Sequence, residues 1–522
     1  MIKNKKILNK MLTKIKKSPT EIYVFLLAFL YRLPTLGYDF INNDAFLWKD
    51  RSYQFGSAIE SLDFAKTAVT YHPGVSLLWS QFIAIKFYSV LNLAFYKNTL
   101  SPHEEFFVNH FLQKFVLVII TSMLIALAFS LIKKFIGEKA SIIAIVLILL
   151  EPFYLGLSRA IHTDVLLSLF MFISFLYFSL SFINKSSKKN LILSGIFLGL
   201  AMLTKSSGLF LIPFFGFVSI LKYKELGFLK ISRNLSIIFG FSLLTFFALW
   251  PAMWIIPMQS IQLYLFKGVQ GIALDEGHGH IWFGKETLNP GLLFYPIVLI
   301  SRYSLLFVSL FAFGTYNFIR KYKNILNPQK KFFIEMFVYI VLYFLMISVV
   351  SKKLDRYSLP IIFPMAIIGA YYLPTIFKKK TLAILFAFFI FSRAVILYGL
   401  HPNYLAYYSQ AVGGMENGRS LIEPKWTIGD DKIAKFFNEK KDPEDIKVAI
   451  ADFDYLRPFA KFEVLNIRNP QEAIRADYFV LPSYREERND YYKSIYNLNK
   501  LNDEITISGV LYYEIYENKG KK

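Results

Sequence analysis

The chain has 522 residues, 55% of them hydrophobic and only 18% charged, with a formal net charge of +22. That apolar fraction excludes a soluble protein of this length, and the absence of cysteine excludes disulfides, thiolate catalysis and cysteine-ligated metal. A positive surplus on a soluble chain points to nucleic acid; here the charge sits in short loops between apolar runs, so no nucleic-acid partner is expected.

In chain order, a basic arm (residues 1–20) precedes the first apolar run and lacks a small-residue cleavage site after it, so it reads as an uncleaved cytoplasmic N-terminus. The long runs that follow must be helices, because backbone in lipid has to satisfy its own hydrogen bonds; a β-barrel would show short alternating segments. With about 20 residues needed to cross a hydrocarbon core, the sequence predicts about eleven spans. Their cores lie near 21–37, 108–132, 139–157, 164–183, 190–204, 207–221, 234–255, 291–318, 332–350, 358–377 and 381–398. Basic residues recur in alternate loops: Lys3 to Lys17, Lys133 to Lys139, Lys185 to Lys189, Lys222 to Arg233, Arg320 to Lys331 and Lys378 to Lys380. By the positive-inside rule these face the cytoplasm, and an odd number of spans leaves the C-terminus outside. The expected product is a multi-pass protein of the cell membrane, surrounded by membrane lipids.

Two outer loops are long, about 38–107 and 256–290. The first contains the apolar stretch Val75 to Phe95, which reads as a helix along the interface, since counting it as a span would invert every later loop. The membrane part covers 21–400. After it, charge becomes dense, and 401–522 reads as a small outer α/β domain, with strands at Ile446–Ala451, Tyr478–Leu481 and Ile505–Tyr516 and helices at Asp431–Lys440 and Glu486–Leu498.

The candidate functional residues lie at the outer ends of the spans. Ser351-Lys352-Lys353-Leu354-Asp355-Arg356-Tyr357 places three bases outside, against the charge rule. Two readings fit: a solvated hairpin with Asp355 paired to a neighbour, or a cradle for a lipid phosphate. Asp44 sits among apolar and aromatic residues just after the first span; it is either a helix cap or a salt-bridge partner of Arg51, or a general base. Asp164 opens the fourth span, where the helix dipole alone would suit it. Lys205 lies between two apolar runs, either snorkelling or holding a phosphate. His278 and His280, near Asp275 and Glu276, form a weak metal signal; contacts to sugar hydroxyls or phosphate suit them better.

Several segments resemble glycosyltransferase family 39, the protein-mannosyltransferase and aminoarabinose-transferase-like group, over about Tyr31 to Trp426. The resemblance rests on Asp44 after the first span, Trp48 to Ser52, His72-Pro73-Gly74-Val75, Arg159 to Asp164, Leu203-Thr204-Lys205, Lys353 to Pro360, and Pro402 to Tyr408 with Gly413-Gly414. Their order and shared sidedness carry more weight than any one motif. In one place the chain departs from the pattern: relatives pair Asp with Glu in the first loop, whereas Asp44 is flanked by Asn43 and Ala45. The resemblance implies a polytopic helical protein of the large-membrane (GT-C) glycosyltransferase fold. It implies an inverting transferase that takes a sugar from a polyprenyl-phosphate donor and gives it to a protein, lipid or glycan acceptor on the outer face, with no cofactor required. Asp44 would be the general base, Asp164 would orient the base or acceptor, and Lys205, Lys353 and Arg356 would hold the donor phosphate. Arg51, His72 and Arg159 are second-rank candidates. Two other classes compete. A lipid-linked glycan flippase would want ionisable pairs at mid-membrane and repeated halves, and the sequence has neither. An inactive membrane scaffold is the other.

Overall fold

A computed structural model of the chain describes residues 19–96, 99–183, 187–271, 279–424 and 426–519. The basic arm up to Ser18, Lys185, Asp275, Glu276 and His278 lie outside the described residues. Among the described residues, seven helices are long and apolar enough to cross a membrane: Val75–Tyr96, Pro102–Ile136, Asp164–Phe182, Phe228–Leu249, Asn327–Val349, Asp355–Ile376 and Lys379–Leu400. The pair Phe294–Arg302 and Leu305–Arg320, bent by 114°, would make an eighth. The chain is thus a multi-pass membrane protein, but eleven full-length spans are not seen.

The difference has local causes. The first run forms only the 11-residue helix Thr20–Leu30, and Ser206–Leu221 is likewise short. The run at 139–157 breaks at Glu151-Pro152 into helices Glu138–Leu149 and Pro152–Leu157. Proline cannot supply the amide that would continue the first helix. The Glu151 carboxylate is buried, accepting from the Ser304 amide (2.9 Å) and hydroxyl, so the break also anchors the start of Leu305–Arg320. Where the helix Lys188–Thr204 crosses Phe228–Leu249, Gly195 and Gly199 meet it: a Cβ on either would lie 2.4 Å from the Ile238 carbonyl oxygen or 2.6 Å from that of Ser242. Only hydrogen fits there, the small-residue packing by which membrane helices approach closely.

The helix from Val75 has spanning length, yet its contacts run across one face. Ser76 bonds Thr204 at the end of one membrane helix (2.6 Å), and Trp79 donates to the Leu249 carbonyl at the end of another (2.8 Å). Further along, Gln81 donates to the Gln113 carbonyl of Pro102–Ile136 (3.3 Å). The helix therefore packs across three membrane helices, against the ends of two of them.

Beyond Leu400 the chain forms a five-stranded sheet of order β4-β3-β5-β7-β6, with β3 Lys447–Ile450, β4 Glu463–Asn466, β5 Tyr478–Pro482, β6 Leu498–Ile507 and β7 Val510–Asn518. β3 runs parallel to β4 and β5; β7 is antiparallel to β5 and β6. The stretch expected as one strand at Ile505–Tyr516 is a hairpin, turning at Ser508-Gly509, both with positive φ (50° and 78°). Glycine supplies that backbone without strain. β4 is an addition to the expected strands, while the expected helices occur as Asp430–Asn438 and Glu486–Tyr496.

Candidate active site

Four separate stretches of chain meet at one end of the helical bundle: the segment after Thr20–Leu30, the start of Asp164–Ile183, the link at Lys205 and the turn before Ile362. Asp44 stands before the helix Ala45–Glu60, but its side chain makes no capping bond. Instead its Oδ2 lies 3.2 Å from His162 Nε2, 3.2 Å from Arg356 Nη2 and 3.1 Å from the indole nitrogen of Trp426. Asp164 Oδ1 accepts from Lys205 Nζ (2.8 Å); its Oδ2 faces Arg356 Nε (3.1 Å) and His162 Nδ1 (3.0 Å). Arg356 and His162 thus each bridge both carboxylates.

These groups border a cavity of about 340 Å³ whose walls include Asp44, Arg51, His72, Lys205, Lys352 and Arg356. The Asp44 side chain is 31% exposed and that of Asp164 only 5%, so Asp44 is the carboxylate open to a ligand. Burial pushes Asp44 upward, but the bond to and charge of His162, the charge of Arg356 and the Trp426 bond outweigh it and hold the carboxyl well below its usual range. His72 is held well below its ordinary value by burial and by the charges of Lys205, Lys352, His162 and Arg51, so it is neutral. It is placed by Gly74, whose φ is +55° and whose missing Cβ would lie 2.3 Å from the Trp48 ring. Any side chain there would displace the ring that carries Arg51 on its face, 5.0 Å away.

A second, mostly apolar cavity of about 240 Å³ adjoins the first. His72, Lys205, Lys352 and Tyr357 border both. Its remaining wall is largely apolar, with Leu209, Phe210, Val269, Met346 and Ile347.

Of the residues singled out in the sequence, Asp44, Asp164, Lys205, Arg356, Arg51 and His72 converge here. Lys353 does not: it turns to the Val350 carbonyl (2.7 Å) and Asn289 (3.4 Å), and its neighbour Lys352 borders the cavity instead. Successive residues of this extended segment point to opposite sides. Asp355 pairs with Arg302 at 3.0 Å. Arg159 is consumed by structure, bound to Asp39 (2.9 Å) and to the carbonyls of Arg32 and Pro34 (both 2.8 Å), with Lys114 on the same carboxylate at 2.6 Å. His280 is buried in the hairpin His280–Trp282 and Lys285–Thr287, against the Phe294 ring. Among the described residues no group of three His, Asp or Glu side chains is arranged to hold a metal. Sequence reading passed over His162 and Trp426, and from the three bases of the 351–357 loop it chose Lys353 and Arg356 over Lys352. His162 stands two residues before Asp164, and that spacing was its only signal; Trp426 had none.

Residues 106–255 match the family model described as dolichyl-phosphate-mannose-protein mannosyltransferase. Among solved structures the chain is similar to ArnT from Cupriavidus metallidurans. The form bound to undecaprenyl phosphate is 12% identical, with a TM-score of 0.51 over 96% of this chain and 98% of that one. The apo form is 11% identical, with a TM-score of 0.52 over 96% and 97%. The Archaeoglobus fulgidus oligosaccharyltransferase overlaps more loosely, at 13% identity and a TM-score of 0.46 over 92% of this chain and 71% of that one. No curated protein matches the chain in sequence. The chain thus has the fold of ArnT, the GT-C fold expected from the sequence, and its residues 106–255 match the protein-mannosyltransferase model.

Proposed function

We propose that this protein transfers a sugar from a polyprenyl-phosphate donor to an acceptor at the outer face of the membrane, with inversion at the anomeric carbon. The observation that carries this reading is the junction of the two cavities, where cationic Lys205 and Lys352 stand between a polar chamber with an accessible carboxylate and an apolar groove. An amphiphile with a phosphate between a sugar and an isoprenoid chain matches that sequence of surroundings: chain in the groove, phosphate at the bases, sugar in the chamber. ArnT, which shares the fold, has been crystallised with undecaprenyl phosphate.

In this reaction Asp44 takes the proton from the acceptor's nucleophile as that atom bonds the anomeric carbon. The bond from that carbon to the phosphate oxygen breaks, and polyprenyl phosphate departs with the electron pair. Lys205, Lys352 and Arg356 offset its developing charge. Bound to Arg356 and His162, Asp44 is a weak base. A donor phosphate that draws Arg356 away would raise its basicity, so donor binding would arm the base. Asp164 keeps Lys205, His162 and Arg356 in register. The open side of the chamber suits a nucleophile on a protein, lipid or glycan. The test is transfer of radiolabelled sugar from synthetic polyprenyl-phosphate sugars by protein in proteoliposomes. Movement of intact donor between leaflets without transfer would favour a flippase instead, and neither activity would favour a scaffold.

A further inference from the structure

Away from the active site, a cavity of about 740 Å³ lies between the last membrane helix, the start of Leu305–Arg320 and the outer domain. Its walls include Leu306, Ser309, Arg393, Tyr407, Gly414 and Ser508. Of the motif singled out in the sequence and unused by the proposed chemistry, Pro402 to Tyr408 with Gly413-Gly414, the residues Tyr407, Tyr408, Gly413 and Gly414 border it.

Arg393 is the anomaly. It lies in the helix Lys379–Leu400, about two turns or ~10 Å short of the end that meets the outer domain. Only 7% of it is exposed, and its Nε and Nη1 have no hydrogen-bond partner among the described residues. Tyr407 bonds the guanidinium, and Glu151 acts on it only by charge, its oxygens being engaged by Ser304. A guanidinium in a membrane helix with open donors is costly unless an anion meets it. Glu416 borders the cavity too, yet no ion pair joins it to Arg393 among the described residues.

We infer that this cavity binds the phosphate headgroup of an anionic membrane lipid, with Arg393 as its ligand. The mouth decides between a lipid and a soluble anion. Leu305, Leu306 and Val395 border the cavity, and each is substantially exposed, as are Ile390, Phe391 and Tyr398 nearby; the exposed charged residues of these two helices, Arg320, Lys379 and Lys380, stand at the ends far from the cavity. The opening therefore faces the acyl region, and the occupant arrives from within the bilayer with its phosphate toward Arg393 and its chains along Leu306 and Val395. Planar guanidinium matches phosphate oxygens two at a time, using the two donors left open here. This site does not depend on the transferase reading.

The experiment is native mass spectrometry of the full chain in detergent, titrated with dioctanoyl phosphatidic acid. A saturable single adduct is expected for the unaltered protein and for Arg356→Ala. Arg393→Gln should need at least ten-fold more lipid, Arg393→Lys less than that, and Ser309→Trp, which narrows the mouth and leaves the arginine in place, should also lose the adduct. Unchanged binding by both Arg393→Gln and Ser309→Trp overturns the inference. So does loss of the adduct in Arg356→Ala, which would put the lipid in the donor site. Equal binding of dioctanoyl phosphatidylcholine overturns the requirement for net negative charge, and competition by inorganic phosphate at the lipid's own concentration overturns the lipid.

Discussion

Arg356 Nη2 lies 3.2 Å from Asp44 Oδ2. The proposed phosphate-binding cation and the proposed base are thus each other's partners before a donor arrives. Removing either changes what the other can do, and the first two predictions separate these effects.

Arg356→Ala should weaken donor use more than acceptor use. Loss of one charge-stabilising contact is expected to cost on the order of 2–4 kcal/mol in the transition state, by analogy with loss of one oxyanion-hole donor. Arg356→Lys should recover only part, since a point charge lacks the planar fork. Initial rate against polyprenyl-phosphate sugar, at saturating acceptor, is the measurement. An unchanged curve for folded, inserted protein would remove this residue from the active site.

Asp44→Asn should lower kcat by about 10²–10⁴-fold, the usual contribution of a general base. Donor affinity should hold or rise, because Arg356 loses a competitor for phosphate. Equilibrium binding of a non-transferable donor analogue, beside the rate, distinguishes this from misfolding; weaker donor binding would contradict the pairing described above.

Lys49 offers a pH test outside the chemistry. It is buried in the helix Ala45–Glu60 with Nζ 4.1 Å from the Phe106 ring centroid. Burial, helped by the charge of Lys114, pushes it down to about 7. An unfolded lysine titrates near ~10.4, so between these values the unfolded chain binds the extra proton and stability rises with pH, by up to ~1.4 kcal/mol per pH unit. Below the folded value the penalty is complete and flat. Lys49→Met should therefore raise the thermal midpoint at pH 6 and change it little above pH 10. A gain of equal size at both would show that packing, not charge, sets the effect.

The proposed sidedness can be checked with reporters. One fused after Lys522 should read outside, and one placed between Arg320 and Lys331 should read cytoplasmic. Both on the same side would refute the arrangement.

Hydropathy and loop charge made the membrane class legible, and the family resemblance of the ordered motifs implied the fold type, but neither gave the span count. Interruptions such as Glu151-Pro152 are invisible to hydropathy, which averages over a buried carboxylate whose partner, Ser304, is far along the chain. At the site, residues whose charge defied their surroundings were legible: Asp44, Asp164, Lys205 and Arg356. What failed was choosing between neighbours. Lys352 and Lys353 carry the same side chain, and only the direction of each along an extended segment assigns one to the cavity and the other to Asn289. Trp426 was illegible for another reason: its value lies wholly in a bond to a residue near the opposite end of the sequence.

That last contact orders events during synthesis. Asp44 precedes all seven helices of spanning length, but Trp426, and Thr427 whose amide and hydroxyl bond Asn43 (2.8 and 3.2 Å), follow the last. The chamber around Asp44 is therefore walled in only after every membrane helix has been made. A nascent chain stalled at Leu400 would already sit in the membrane with its carboxylates and bases near one another, yet lack the wall that fixes Asp44. Synthesis of the last segment then supplies the wall that fixes the proposed base.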